Sequence, residues 1–377
     1  MFLIAWKNLI KERTRLFITL VGITFAVVLM FFDMGAYLGF VRDASVLIDN
    51  SDADIWITLE NSVNFDSSRP FPERKLWKAK QFRGVEWAEP VAKGWGVMKL
   101  PNGRAETVML VGFDPDASIG WPWKLKEGQL KGLKRGDTII VDESALRKLG
   151  GLKVGDRVEI FDKLVQVVGI SREVKSFTTS PIAFTSYGTA KKLSGIYRLT
   201  GREQTSFILV KAEPGVLVSD LVERLQQIKG VDVYTKEALA WKTKRFWIVR
   251  TGMGIGFGIT ALLGFIVGMV IVGQTIYAST VEHLAEFGTL KAIGATNRDL
   301  AVLIVEQVFI YSISGYLVGL AITRLAQHGY ERFGLNFVTT PTLEVAMFGI
   351  TVAMCLGASA LSARKAFRID PVIVFRT

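Results

Sequence analysis

Cysteine and histidine are nearly missing from this sequence. Its 377 residues hold one cysteine, Cys355, and two histidines, His283 and His328. A lone cysteine leaves no intrachain disulfide, which excludes a disulfide-stapled fold. Two histidines exclude a His-rich metal centre but leave open a cation site made of carboxylates alone. G-x-S-x-G, H-E-x-x-H and C-x-x-C are absent too, so the patterns of esterase nucleophiles, zincins and dithiol redox enzymes have no counterpart. The stretch Gly150-Gly151-Leu152-Lys153-Val154-Gly155-Asp156 has the glycine spacing of a phosphate-binding loop. Asp156 stands where that loop needs lysine, and a strand follows where it needs a helix, so the segment reads as a turn. If the protein uses nucleotide energy, another chain is expected to hydrolyse it.

Charge is scarce only locally. Four segments, 16–40, 246–278, 300–328 and 343–362, contain apolar runs of roughly 19–25 residues, enough to cross a hydrocarbon core about 30 Å thick. Their apolar cores, 16–40, 255–277, 300–322 and 343–361, hold three acids in all, Asp33, Glu306 and Glu344. Lys7, Lys11, Arg13 and Arg15 precede the first run, Lys291 and Arg298 lie between the second and third, and Arg364, Lys365, Arg368 and Arg376 follow the last. The loop at 329–342 has only Arg332 beside Glu331. By the positive-inside rule both termini and the 279–299 loop are cytoplasmic, and the long segment 41–245 lies outside. The net charge of +11 then reflects this bias and the lipid surface, with no need of nucleic acid.

The fold class expected is a membrane protein of four transmembrane helices, arranged one plus three, with a large α+β domain between the first and second. Residues 1–15 read as an amphipathic interfacial helix, with Phe2, Ala5, Trp6, Leu9 and Ile10 on one face and Lys7, Lys11 and Arg15 on the other. The apolar run behind them is too long for a cleaved signal, so an uncleaved signal anchor is expected. Within 41–245, strands are expected at 54–59, 138–141, 207–210 and 231–234 and hairpins at 91–113 and 157–170. Helices are expected at 73–80, 143–150 (capped by Asp142) and 216–228, and a loop over 115–135. Residues 363–377 form a cytoplasmic tail.

The segment 279–299 is the most informative. Val281, Ala285, Gly288 and Ala292 keep helical spacing, as do Leu284, Phe287, Leu290 and Lys291, while Glu282 and Glu286 fall one turn apart on one face. Gly294 stops this helix, and Thr296 or Asn297 caps the next. Spacing alone supports equally a helix that docks on a partner and a plain connector between two spans.

The string E-x-x-x-E-F-G-x-L-K-A-I-G-A-T resembles the hallmark of FtsX-like ABC-transporter permeases, which include MacB and LolC. The one-plus-three layout, the opening AWKNLIKERTRL and the closing A-x-R-I-D-P-V-I-V-F-R at 366–376 are similar to the same family, and the resemblance covers essentially the full length. FPERKLWKAKQFRGVEWAEPV (71–91), LVGFDPD (110–116) and 264–295 are most similar to DevC-type permeases of the cyanobacterial heterocyst glycolipid exporter. The resemblance implies a permease that is not itself an enzyme and carries no cofactor, with ATP and Mg on a separate ABC ATPase chain. It implies a homodimer, with spans one and two at the two-fold axis. A periplasmic membrane-fusion (adaptor) protein and a TolC-like outer-membrane channel would be partners, in a bacterial, by the DevC likeness cyanobacterial, inner membrane. The 279–299 segment would be the coupling helix, presenting Glu282, Glu286, Phe287, Leu290 and Lys291 to the ATPase. Cargo would leave from the periplasm or outer leaflet by mechanical movement of the external domain. The alternative is an FtsX-like transducer that activates a periplasmic enzyme; a sensor or enzyme without ATP coupling is the third possibility.

Five more residues, and a set of glycines, need weighing. Asp33 is either a proton or substrate contact or, more plainly, a wet residue near the outer interface. Glu306 can snorkel or pair with Arg298. Trp121 and Trp123, on a loop, either join the domain core or touch a lipid substrate or the adaptor. Trp247 is expected to be an interface anchor. Gly35, Gly39, Gly252, Gly256, Gly264, Gly268, Gly315 and Gly319 have the small-residue spacing of helix contacts, within one chain or between two.

Overall fold

The computed structural model describes residues 13–175, 180–201, 203–332 and 337–367. Most of the amphipathic helix expected over 1–15 and of the tail expected over 363–377 lies outside them. Helix α1 (Arg13–Asp43) carries the first apolar run and is followed by a single turn, α2 (Val46–Asp49). The chain continues through β1 (Ile55–Leu59), β2 (Phe71–Pro72), α3 (Arg74–Lys80), β3 (Val85–Lys99), β4 (Ala105–Phe113), β5 (Leu125–Gly128) and β6 (Thr138–Asp142). After β7 (Arg157–Ile160), β8 (Lys163–Ser171) and β9 (Ile182–Ser186) come α4 (Tyr187–Leu193), α5 (Gly195–Thr200), β10 (Gln204–Thr205), β11 (Phe207–Ala212), α6 (Val218–Leu225), β12 (Val231–Thr235) and α7 (Lys236–Arg245). A π-helical turn, Phe246–Arg250, leads into α8 (Met253–Glu282), then α9 (Leu284–Ala292), α10 (Asn297–Arg332) and α11 (Pro341–Phe367). The chain divides into an α+β unit, Gly39–Met253, and a helical unit made of the residues up to Leu38, Gly254–Glu331 and the chain from Phe337 on.

The α+β unit has two halves that share one long strand. In the first, β1–α3–β3 and β11–α6–β12 are two βαβ units whose strands lie in the order β12-β1-β11-β3, each pair antiparallel. This is the split βαβ arrangement of ferredoxin-like folds. Alternation along β1 sends Ile55 and Ile57 to a layer with Leu76 and Ala79 of α3 and Leu221 and Leu225 of α6. Trp56 goes to the opposite layer, with Phe65, Trp121, Phe207 and Leu239. Both faces are covered, which is why β1 reads as a nearly continuous apolar run.

The second half begins where β3 changes partners. Residues Phe207↔Val91 close its pairing with β11, and Ala92↔Gly112 opens its pairing with β4. From there β3, β4, β9, β6, β8 and β7 pair in turn, and β7 returns to β3 through Met98↔Ile160, closing a ring. Ring closure removes exposed strand edges and encloses Met98, Leu110, Ile139, Val141, Val158, Ile160 and Val167. Gly94 makes the crossover possible: a Cβ there would lie 1.8 Å from Ser194 Oγ. The helix expected over 143–150 is only a 3-10 turn, Glu143–Ala145, because Ala145, Leu149 and Leu152 bend in to fill the ring. The loop expected over 115–135 contains β5 and a 3-10 turn, Leu130–Arg135. The turn reading of 150–156 agrees with the structure, where Asp156 Oδ2 accepts from the Lys153 amide at 2.8 Å.

Four helices of the helical unit are long and apolar enough to cross a membrane, over Leu16–Asp43, Met253–Glu282, Asn297–Gln327 and Pro341–Ala360. The second starts later than the expected 246, because Phe246–Arg250 is a separate π-helical turn and Gly252 has φ +75°. Glycines set how closely α1 meets its neighbours. A Cβ on Gly264 would lie 2.4 Å from Leu29, one on Gly315 2.4 Å from Ile23, and one on Gly319 2.6 Å from Val27. These positions therefore pack within one chain, whereas Gly256 has open space around it. The buried stripe of α8 is narrow, Gly264, Gly268, Val272, Ile276 and Thr280. Ile255, Ile259, Leu262, Leu263 and Ile266 face outward at 45% exposure or more. An apolar surface of that size requires lipid or another protein. Gly315→Ala is expected to destabilise the protein by about 1–3 kcal/mol through overpacking against Ile23, while Gly256→Ala leaves stability unchanged or slightly raised; thermal unfolding in detergent measures both.

Candidate functional site

The link between α8 and α10 is built by helix-terminus chemistry. α8 ends at Glu282, and His283, at φ −91° and ψ 15°, forms a slight break before α9. The His283 amide still donates to the Ser279 carbonyl and the Phe287 amide to the His283 carbonyl. At the other end the Gly294 amide donates to the Lys291 carbonyl at 3.0 Å and the Ala295 amide to the Leu290 carbonyl at 2.9 Å. With Gly294 at φ +103° this is a Schellman closure, which only glycine adopts without strain. Thr296 then caps α10: its amide and hydroxyl donate to Asp299 Oδ2 at 2.8 and 2.7 Å, and the Asp299 amide donates back to Thr296 Oγ1 at 3.4 Å. That reciprocal pair is a capping box with aspartate in the acidic position. The stop at Gly294 and the start at Thr296 agree with the spacing-based expectation.

Of the expected coupling residues, Glu282 and Glu286 are exposed, and Phe287, Leu290 and Lys291 are half-buried. Glu282 belongs to α8 and the other four to α9, so the two glutamates sit on either side of the His283 break instead of on one helix. Glu286 Oε2 lies 3.0 Å from His283 Nδ1. Sequence reasoning missed Ile293, which is 76% exposed at the end of α9. The available signal was its place: an isoleucine directly before the helix-stopping Gly294 has no following turn to cover it. The segment therefore offers an acid, an exposed isoleucine and two half-buried apolar side chains, a combination suited to a groove on another protein.

The remaining candidates fare differently. Trp121 is 2% exposed, donates Nε1–H to the Leu47 carbonyl at 3.1 Å, and packs against Trp56 and Phe113 with ring centroids 5.9 and 6.2 Å away. It is a core residue, which corrects its candidacy as an adaptor or substrate contact: the indole found a deep apolar site with one acceptor for its N–H. Trp123 is partly buried against the same cluster. Asp33, expected to be wet, is instead 9% exposed, with Oδ2 buried and without a hydrogen-bond partner among the described residues. Glu306 makes no ion pair with Arg298 among the described residues, and its Oε2 is likewise buried and unpartnered. The structure does not bring Asp33 or Glu306 together with the α9 residues. Among the described residues no group of three or more His, Cys, Asp or Glu side chains is placed to hold a metal ion.

A buried polar knot in the α+β unit escaped the sequence reading. Lys93, in the middle of β3, is 6% exposed and donates to the carbonyls of Phe65 and Asp66 at 3.0 and 2.5 Å. Its ammonium also lies 5.0 Å from the Phe65 ring centroid. The Phe65 amide donates to Thr243 Oγ1 of α7 at 3.2 Å, and Trp247 donates Nε1–H to Asp66 Oδ2 at 2.9 Å. Trp247, expected as an interface anchor, is thus tied to the domain, and its ring meets Phe40 edge-on at 6.4 Å. Burial pushes the Lys93 ammonium down to about 8, with the Asp66 charge opposing that shift. Burial pushes the Asp66 carboxyl up, opposed by Lys93 and by the Trp247 hydrogen bond.

The unfolded chain keeps its Lys93 proton up to the ordinary lysine range, and the folded chain releases it near 8. Between those values the unfolded state binds more protons, so stability is expected to rise as pH climbs from about 8 toward 10. Lys93→Met should remove that rise. It should also cost about 3 kcal/mol at neutral pH, because two carbonyls and a half-buried carboxylate lose their cation. Melting curves of both proteins in detergent at pH 7, 8, 9 and 10 measure the two effects.

Comparison with known proteins places these features. Residues 16–228 match the MacB-like periplasmic core domain family, and residues 258–371 match the FtsX-like permease C-terminal family. The chain is 23% identical over 379 residues to an uncharacterized ABC transporter permease of Mycobacterium tuberculosis, spanning all of this chain and 99% of that one. It is 22% identical to a probable export ATP-binding/permease protein of Pseudomonas fluorescens, over 98% of this chain and 59% of that protein. Among solved structures it is similar to the periplasmic region of MacB from Actinobacillus actinomycetemcomitans, with 16% identity and a TM-score of 0.40 over 50% of this chain and 92% of that one. With both family matches on one chain, in the order the fold requires, this protein belongs to the MacB-type, FtsX-like family of ABC-transporter permeases.

Proposed function

We propose that this chain is the membrane subunit of a tripartite ABC exporter. In this reading a separate ABC ATPase, which holds ATP and Mg, docks on α9 from the cytoplasm and drives movement of the α+β domain in the periplasm. The observation that carries it is α9 itself, a capped short helix between the second and third spanning helices with Glu286 and Ile293 exposed beside Phe287 and Leu290. Family membership supports an ATPase partner. The mycobacterial relative is named an ABC transporter permease, and the Pseudomonas relative's name couples export with ATP binding.

The finer parts of the reading follow from the same layout. Two copies would meet through the outward apolar face of α8, helped by Phe17, Val21 and Phe25 of α1, which are 50–68% exposed. The α+β domain would meet a membrane-fusion adaptor beneath a TolC-like channel. Cargo would be lipid-like or otherwise periplasmic, of which the DevC-type glycolipid is one candidate. The buried, unpartnered oxygens of Asp33 and Glu306 are not needed for a mechanical exporter, and both residues are assigned structural roles.

Glu286→Lys and Leu290→Asp are each expected to cut recovery of the ATPase with the tagged permease by about tenfold or more, as interface-centre changes do. Both leave the Schellman closure and the capping box intact, so the permease still reaches the membrane. Undiminished ATPase recovery with both variants would sink the coupling role of α9. Asp33→Asn and Glu306→Gln are expected to leave export unchanged; loss of export with normal folding would instead point to a protonation step. Cargo class is tested by deleting the chain and profiling outer-membrane and periplasmic lipids.

A further inference from the structure

The last turns of the α+β unit before the second spanning helix form a cleft that the exporter reading does not use. It is a cavity of about 330 Å³ lined by Val63, Trp241, Lys242, Arg245, Val249 and Arg250, together with parts of Ala238 and Phe246. Its apolar lining is open: Trp241 is 62% exposed, Val249 58% and Val63 36%. Its polar lining has one sign. Three cations face the cleft and no acidic side chain lines it. Lys242 is held in place, with its ammonium 4.4 Å from the Tyr234 ring centroid and hydrogen-bonded to the Tyr234 hydroxyl. Arg245 and Arg250 are exposed, and neither is in an ion pair among the described residues.

Helical spacing stacks Trp241, Arg245 and Val249 one above the next, and chain continuity brings Arg250 to within three residues of Met253, where α8 begins. The cleft is therefore delivered by covalent connection to the edge of a spanning helix. Cations and an aromatic beside an apolar floor match an amphiphile with a negative head and a hydrocarbon tail. We propose that this cleft binds an anionic lipid of the adjacent leaflet, its phosphate held by Arg245 and Arg250 with Lys242, and its acyl chain lying on Trp241 and Val249. The assignment is independent of the exporter reading. It needs only that Met253 open a membrane-crossing helix, and it holds or fails whether or not an ATPase docks on α9.

Trp241 provides the readout. Bromine on an acyl chain quenches an indole that the chain contacts, so Trp241 reports a lipid chain lying in the cleft. The full chain is reconstituted in nanodiscs with rising mole fractions of brominated phosphatidylglycerol or brominated phosphatidylcholine. Subtracting the fluorescence of Trp241→Phe isolates the signal of this indole. The expected result is quenching of Trp241 at lower mole fractions of the anionic lipid than of the zwitterionic one. Arg245→Gln and Arg250→Gln should each reduce that preference about fivefold. Lys244→Gln removes a cation of the same helix that instead pairs with Asp49 at 3.3 Å, and should change it less than twofold. An unquenched Trp241, or equal quenching by the two lipids, would overturn the proposal. Quenching that excess inorganic phosphate abolishes would also overturn it, since the ligand would then be a free anion and not a lipid. Because both arginines are exposed, Arg245 at the end of α7 and Arg250 at the end of the π-helical turn, their variants keep the fold, which unchanged melting confirms before the titration.

Discussion

The α+β unit depends on one buried charge. Lys93 sits where β3 passes from the ferredoxin-like half to the closed ring, and it must find acceptors there because water is excluded. The carbonyls of Phe65 and Asp66 supply them, which pins the 61–69 connection under β3. Once pinned, Asp66 is fixed to accept from Trp247, and the Phe65 amide to donate to Thr243 Oγ1. A single desolvated ammonium thus organises the place where the chain enters and leaves the domain. Phe40, at the entrance, packs edge-on against Trp247, at the exit. Lys244 and Asp49 form an exposed pair across the same two segments. Such exposed pairs contribute little by themselves; the buried knot is what holds the two connections together.

A different constraint governs the helical unit. Lipid supplies no hydrophobic drive for helices to associate, so contact area must come from close approach. Gly264 and Gly268 on α8, and Gly315 and Gly319 on α10, let α1 come near enough that any added Cβ would collide. The core that results, with Ile23, Val27, Phe31, Val308 and Met354, is mainly apolar. Its buried polar side chains include Ser312, Thr323 and Thr351, whose hydroxyls donate to carbonyls of their own helices at 3.0, 2.8 and 2.8 Å. Asp33 and Glu306 each have one buried oxygen unpartnered among the described residues. Close approach at these glycines is what holds the unit together.

The chemistry of the chain concentrates at helix and domain ends. α9 owes its short, defined length to Gly294 and to the Thr296–Asp299 cap, both purely local devices. Because they are local, they were legible in the sequence, as were the four apolar spans and the hairpins. Ile293 was passed over because its exposure depends on nothing packing behind the Schellman turn. Trp121 shows the opposite failure. Its loop neighbours, glycine, proline and a second tryptophan, suggest a surface, yet the ring fills a space bounded by Trp56, Phe113 and Phe184, which come from three other parts of the chain.

By itself the sequence determined which segments cross the membrane, that an α+β domain separates the first from the rest, and where the helix between the second and third spans stops. Each of these follows from hydrophobic length, period or capping, and such signals act over a few turns. Only the tertiary structure decided that β3 belongs to two sheets at once, that Lys93 is the charge buried at that junction, and that Gly264, Gly268, Gly315 and Gly319 face their own chain. It also decided that three cations and Trp241 share one cleft beside Met253. Those outcomes rest on pairings between residues far apart in the chain, and no local pattern encodes which distant surface a strand, a lysine or an indole will meet.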